Sequence, residues 1–270
     1  MSLVWLFCIG TAIGVTLNVV HRGTLGADAH AYWLTGHRAH LYSQPPEARD
    51  AYLYSPAFAQ LIWPLTKLPW AFFRVVWMLG EGLCFAWLLR PTGWSWGVPL
   101  FALTTLEIGQ GNIWGLLGVA LIVSFRQPEY CALPVLTKVT LNLVPFWFTA
   151  RRRWRAVAVS VAVPAIIAGA SLAISPHDWS AWVHLLAHSG SHDDALPVRV
   201  AIGVIATLAA ARFRQRWLVA GAVLIAAPVI HGLGIFTILA TLPRLLDSRD
   251  DFEDRGARPV PDQPVGVGPS

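Results

Sequence analysis

The sequence predicts an all-α integral membrane protein whose helices form a multi-span bundle. Of its 270 residues, 55% are hydrophobic and only 13% are charged, whereas soluble domains carry about 25% charged residues. Apolar runs of about 20 residues, long enough to cross the hydrocarbon core of a bilayer, occupy 2–20, 70–89 and 156–174. Such runs must be helical, because lipid offers their backbone groups no hydrogen-bond partners.

The other apolar segments are shorter than a straight span or contain polar residues; they are 57–68, 96–108, 112–125, 129–150, 198–211 and 217–246. We expect about 8–10 membrane helices in total, some of them broken or re-entrant. Prolines bound the segment 57–68, which therefore predicts a re-entrant or interfacial helix. The pair 96–108 and 112–125 predicts a hairpin around a Gly-Gln-Gly-Asn turn.

The distribution of positive charge predicts the orientation of the chain. With a cytoplasmic N-terminus, most of the 20 basic residues lie on the cytoplasmic side only if the run 129–150 is broken at Lys138 and the run 217–246 is broken at His231. An unbroken 129–150 would place the cluster Arg151–Arg155 outside. We therefore predict both breaks, and we interpret the formal net charge of +5 as a topology signal rather than a nucleic-acid surface.

One membrane domain is predicted over residues 1–246, with two polar extracytoplasmic loops at 21–56 and 175–197. The first apolar run lacks a basic leader and a clear cleavage site, so we expect it to stay as a membrane helix. Residues 247–270 are charged and then rich in Pro and Gly, which predicts a disordered cytoplasmic tail. The three cysteines lie in apolar stretches without a CxxC pair and predict neither disulfides nor zinc.

Two charged residues on the predicted outer side are the main candidates for chemistry. Asp28 follows the end of the first span, where a carboxylate can act as a general base toward a hydroxyl presented at the membrane surface; the alternative is an ordinary solvated loop residue. Lys138 is a charge inside an apolar run, which marks a functional candidate. Its ammonium suits a phosphate group, and the alternative is snorkelling to the interface.

Five further residues complete the candidate site on the outer side: Tyr32, Tyr54, Gln110, Asn112 and His231. The amides of Gln110 and Asn112 suit sugar hydroxyls, although Gly and Asn also favour a plain tight turn. His231 follows Pro228 at the second predicted break, where a core or interfacial histidine is the alternative.

A competing pattern consists of His184, His188 and His192, which are spaced by four residues and precede two aspartates. On one helix, these imidazoles would share a face and could bind a metal. Because Ser189-Gly190 is expected to end that helix first, we predict no metal site. Zinc-protease, P-loop and serine-hydrolase motifs do not occur in the sequence.

The order of these motifs resembles a known family. An Asp follows the first span, and Tyr54-Ser55-Pro56-Ala57-Phe58 leads to Leu68-Pro69. After these come Gly-Gln-Gly-Asn, Lys138-Val139-Thr140, an arginine cluster and Ala227-Pro228-Val229-Ile230-His231. Over about residues 20–245, the sequence resembles the polyprenol-phosphate-mannose-dependent α-mannosyltransferases of glycosyltransferase family 87, as a short variant. The resemblance implies a GT-C fold, Asp28 as the catalytic base, Lys138 beside the donor phosphate and His231 near the active site.

This resemblance implies a membrane hexosyltransferase of the plasma membrane with an extracytoplasmic active site and cytoplasmic termini. We expect it to move mannose or a related hexose from a polyprenyl-phosphate sugar to a hydroxyl of a glycolipid or glycan, with membrane lipids around it and no nucleic acid as partner. No cofactor is expected, because the lipid phosphate is itself the donor. The alternatives are a polyprenyl-lipid transporter or flippase, which needs no base, and a non-catalytic membrane scaffold.

Overall fold

The computed structural model describes residues 2–46, 48–138, 142–188, 195–227 and 234–247, and it confirms the all-helical prediction: no strand occurs in these ranges. The α-helices, in chain order from α1 to α14, are Ser2–His21, Ala27–Leu34, Pro56–Thr66, Trp70–Leu89, Gly93–Ala102, Thr105–Gln110, Trp114–Ser124, Ala132–Thr137, Val144–Ala150, Trp154–Ile174, Pro176–His188, Leu196–Arg212, Leu218–Ala226 and Leu242–Asp247. Short 3-10 helices cover Arg90–Thr92, Pro128–Cys131 and Gly234–Thr241.

Three helical segments are long and apolar enough to cross a membrane: Ser2–His21, Trp70–Ala102 and Trp154–Ile174. Helix α7 is apolar but shorter. Only 11% of the apolar window of α1 and 17% of that of α10 is buried. Helices that are hydrophobic all round and yet exposed suit a lipid environment, so the protein is an integral membrane protein.

The core lies where α4, α7, α12 and α13 meet the short helices. Phe73 and Phe85 of α4, Phe148 of α9 and Val219 of α13 are fully buried in one cluster. Helix α12 packs closely on α13 because Gly203 has no side chain: a Cβ there would lie 2.9 Å from the carbonyl oxygen of Ala222.

The predicted span 96–108 is wrong in its extent. Helix α4 ends at Leu89, directly before Arg90-Pro91, but the 3-10 turn and α5 prolong the helical rod to Ala102. Two threonine hydroxyls then donate to carbonyls at the end of α5, Thr104 to Phe101 and Thr105 to Ala102, each at 2.8 Å. Such side-chain bonds compete with the next helical turn, and the six-residue α6 begins afresh.

The predicted polar loop 175–197 is largely helical, which corrects the sequence interpretation. Its helix α11 is held by two indole N–H groups: Trp179 donates to Ser171 Oγ at 3.0 Å, and Trp182 donates to the Leu53 carbonyl at 3.1 Å. Tertiary anchoring of this kind outweighs the polar composition. The described part of α11 runs to His188; the predicted helix end at Ser189-Gly190, His192 and the side chain of His188 lie outside the described residues.

The short segment after the first loop is confirmed as an isolated helix of 11 residues, α3. Ser55 caps it, because its Oγ accepts the N–H of Phe58 at 3.4 Å, and Pro56 occupies the first helical position. That proline has no N–H to satisfy there, which suits a helix start. With 11 residues, α3 is too short to span a bilayer.

The predicted break at Lys138 is confirmed. Helix α8 ends at Thr137, Lys138 has φ −126° and ψ 75°, and α9 begins only at Val144. The second predicted break is partly described: α13 ends at Ala226, whereas His231 lies outside the described residues, as does the predicted tail beyond Asp247.

Candidate active site

The site forms where the chain turns back after the first membrane helix. Gly23 and Gly26 both have a left-handed backbone, with φ of 62° and 73°, and they direct the chain from α1 into the short helix α2. The N–H of Gly26 donates to the carbonyl of Gly109 at 2.7 Å. Asp28 lies in the first turn of α2 and is half-buried. The predicted loop residue is therefore part of a helix that is attached to the Gly-Gln-Gly-Asn turn.

The Gly-Gln-Gly-Asn turn is the end of α6 and packs directly against α2. Gly111 has φ 72°, and its N–H and that of Asn112 donate to the Glu107 carbonyl at 2.9 and 3.0 Å. The indole of Trp77 donates to the Gly111 carbonyl at 2.8 Å. A Cβ on Gly111 would lie 2.6 Å from the Cβ of Ala29. Both the backbone conformation and the close approach therefore require glycine.

Asn112 and Lys138 interact with the Asp28 carboxyl group. Burial raises the pKa of Asp28 above the ordinary value, while the positive charge of Lys138 and the polar side chain of Asn112 partly offset that rise. The Oδ1 atom of Asn112 accepts the N–H of Ile113 at 2.8 Å, which orients the amide. The site thus pairs a carboxylate with a cation and an amide.

The non-helical Lys138 is positioned from two sides. Its ammonium lies 3.8 Å from the centre of the Trp114 ring, a cation–π distance. One residue before the end of α8, the Leu136 carbonyl accepts the hydroxyl of Ser55 at 2.6 Å, which attaches the break to the start of α3. The residue as a whole is partly exposed, whereas its ammonium is buried among the charges of Glu107, Asp28 and Glu81.

Tyr32 and Tyr54 form a hydroxyl pair beside Asp28. Their oxygens lie 3.2 Å apart, and the Tyr32 ring packs against Trp77 and Phe58. Burial raises the pKa of both phenols, so both remain protonated and can donate a hydrogen bond. Tyr42 donates to the Tyr54 carbonyl at 2.7 Å and holds the loop in place.

Two buried acids that the sequence analysis omitted complete the cluster. Glu81 of α4 and Glu107 of α6 are 0% and 3% exposed, and both charges act on Lys138. Glu81 accepts the N–H of Gly115 at 2.7 Å and that of Leu116 at 3.4 Å, so it holds α4 to the start of α7. Both acids lie inside apolar runs, and the criterion that identified Lys138 would have found them.

The remaining candidates are not joined to this cluster. The Gln110 side chain is partly exposed and makes no hydrogen bond within the described ranges. His231 lies outside those ranges. Of the histidine series, His184 is exposed on α11, and no group of three metal-binding side chains occurs among the residues that the structure describes.

The arrangement can perform acid–base chemistry on a substrate at the end of a membrane helix. Asp28 can accept a proton, Lys138 can stabilise an anion, and Tyr32, Tyr54 and Asn112 can hydrogen-bond to polar groups between them.

Comparison with known proteins gives one family. The model of glycosyltransferase family 87 matches residues 52–257, well over half of the chain. No curated protein and no solved structure gives a significant match. The matched range includes Lys138 and the Gly-Gln-Gly-Asn turn and begins after Asp28 and Tyr32, so the place of these two residues in the site depends on the geometry described above. The chain belongs to glycosyltransferase family 87, and it is a membrane glycosyltransferase.

Proposed function

We propose that the protein transfers a hexose, most simply mannose, from a polyprenyl-phosphate sugar to a hydroxyl group of a lipid or glycan acceptor. The observation that carries this proposal is the half-buried Asp28 carboxyl group beside Lys138, seven residues after the end of the first membrane helix. A base and a cation at this place suit a donor whose phosphate lies at the membrane surface and whose chain lies in the lipid.

In the proposed reaction, Asp28 takes the proton of the acceptor hydroxyl while its oxygen attacks the anomeric carbon of the sugar. The new glycosidic bond forms as the bond from that carbon to the phosphate oxygen breaks. The electron pair of the broken bond stays on the departing polyprenyl phosphate. Because the attack comes from the side opposite the phosphate, the anomeric configuration is inverted.

Lys138 offsets the negative charge that grows on the leaving phosphate, and a cation already in place does so without reorganisation. We also assign His231 to the surroundings of that phosphate, because it belongs to the family motif. The half-buried Asp28 then passes its proton to water. The lipid phosphate serves as donor, so the proposal includes no cofactor and no metal.

We place the protein in the plasma membrane, with the site on the extracytoplasmic side and both termini in the cytoplasm. The arginine cluster Arg151–Arg155 is the reason for this orientation, because positively charged loop residues favour the cytoplasmic side.

The proposal is tested with membranes that contain the full chain and a polyprenyl-phosphate donor radiolabelled in the sugar. Membranes from cells without the protein are the control. We expect label in a new lipid or glycan product with the mannosyl donor, and less with a glucosyl donor. Label that stays in the donor in both membrane preparations would contradict the proposal.

A further inference from the structure

The carboxyl group of Glu107 is buried without a hydrogen-bond partner. The residue is 3% exposed, and its Oε2 atom contacts no donor within the described part of the chain. A buried acceptor that is left unpaired is destabilising, so such atoms in a folded protein call for an explanation. Its backbone carbonyl, in contrast, accepts two N–H groups of the Gly-Gln-Gly-Asn turn.

Comparison with the second buried acid shows that Glu107 is not simply a structural link. Both carboxylate oxygens of Glu81 accept N–H groups of α7, which explains its burial. Glu107 has no such partner at Oε2, although it lies at the start of the same turn that presents Asn112 to Asp28. Its charge acts on Lys138, Asp28 and Tyr54, so the carboxyl group belongs to the same cluster of charged and polar groups.

The chemistry of the proposed reaction favours a sugar hydroxyl as the partner of this oxygen. The acceptor hydroxyl goes to Asp28 and the phosphate goes to Lys138. A carboxylate repels a phosphate, whereas a sugar hydroxyl can donate to a carboxylate and can also accept from a protonated carboxyl group. Burial raises the pKa of Glu107 to about 7, an effect that Lys138 partly offsets, so both forms occur near neutral pH and a hydroxyl suits either.

We propose that Glu107 is a sugar-binding residue whose Oε2 atom forms a hydrogen bond with one ring hydroxyl of the transferred hexose. This inference rests on the proposed function and adds to it a residue that selects the sugar. A site that is built to bind a hydroxyl discriminates strongly against a donor without it, because the buried group then stays unpaired.

The test uses membranes with the full chain and four donors, each of which lacks one of the four free hydroxyls of the hexose. We expect the wild type to use one of them about 10- to 100-fold less efficiently, in kcat/KM, than the complete donor, since hydrogen bonds to charged groups contribute about 1.5–3 kcal/mol. Glu107→Leu should lose activity with the complete donor and show little further loss with that one deoxy donor. The remaining three donors should respond to the substitution as the complete donor does.

Two further variants make the result interpretable. Glu107→Gln keeps the shape of the side chain and serves if the leucine variant fails to insert; it should reduce the discrimination between the same two donors. Glu129→Gln makes the same chemical change at an exposed position outside the site, and it should leave the donor preference unchanged.

The outcomes separate the inference from the proposed function. A wild type that uses all four deoxy donors equally well would overturn the role of Glu107 while leaving the transfer reaction intact. Equal loss with every donor in the Glu107 variants would also overturn it, because a partner on the phosphate or a structural role predicts that pattern. A wild type that transfers sugar from none of the donors, including the complete one, would overturn the proposed function and the inference together.

Discussion

Replacing Gly111 by alanine should displace the catalytic base without touching it. The left-handed backbone at Gly111, with φ 72°, costs an L-residue about 1–2 kcal/mol. The added Cβ would lie 2.6 Å from the Cβ of Ala29, whereas carbon atoms pack at about 3.5–4.0 Å. Helix α2 must therefore move by about 1 Å, and Asp28 moves with it. A displacement of that size costs about 10²-fold in rate, and overpacking costs about 1–3 kcal/mol in stability.

Gly109→Ala is the matched control in the same turn. Its added Cβ would meet only Val19 Cγ1, at 3.7 Å, an ordinary contact, so we expect a rate within about twofold of wild type. Sugar transfer is measured with equal amounts of inserted protein for both variants, together with thermal stability in detergent. Equal activity of the Gly111 and Gly109 variants would refute the idea that the close approach to Ala29 positions the base.

Three further predictions concern pH, donor binding and topology. Because burial raises the pKa of Asp28 and a base must be ionised, transfer should decline on acidification at a pH above the usual aspartate value of about 3.9; a pH–rate profile that stays level down to that value would contradict this. Lys138→Met should raise the KM for the donor about tenfold or more through loss of a charged contact, and an unchanged KM would remove the phosphate assignment. An impermeant thiol reagent should label Ser191→Cys in intact cells and Ser248→Cys only after lysis; the reverse pattern would invert the topology.

Several residues of the site could be predicted from the sequence. Lys138 interrupts a hydrophobic run, and the structure ends α8 one residue earlier. Asp28, Asn112, Tyr32 and Tyr54 come from three separate segments, and the order of motifs predicted their proximity. For Lys138 the signal was a charge inside an apolar run; for the other four residues it was their position on the predicted outer side and in the order of the family motifs.

Other features depend on tertiary contacts that the sequence does not display. Helix α11 lies in a segment of polar composition, and two indole hydrogen bonds to other parts of the chain hold it. The division between α5 and α6 depends on threonine hydroxyls that bond backward. The unpaired oxygen of Glu107 is visible only once the packing around α6 is known. Local pattern specifies where helices occur better than it specifies which side chains find partners.

Transfer by Asp28→Asn tests the central claim most directly. Asparagine nearly matches the shape of aspartate but cannot take the acceptor proton, so we expect a loss of about 10²–10⁴-fold in transfer. The variant must insert in the membrane to the wild-type level. A variant that inserts normally and retains near-wild-type transfer would contradict the account, whereas a lipid carrier that needs no base would tolerate the substitution.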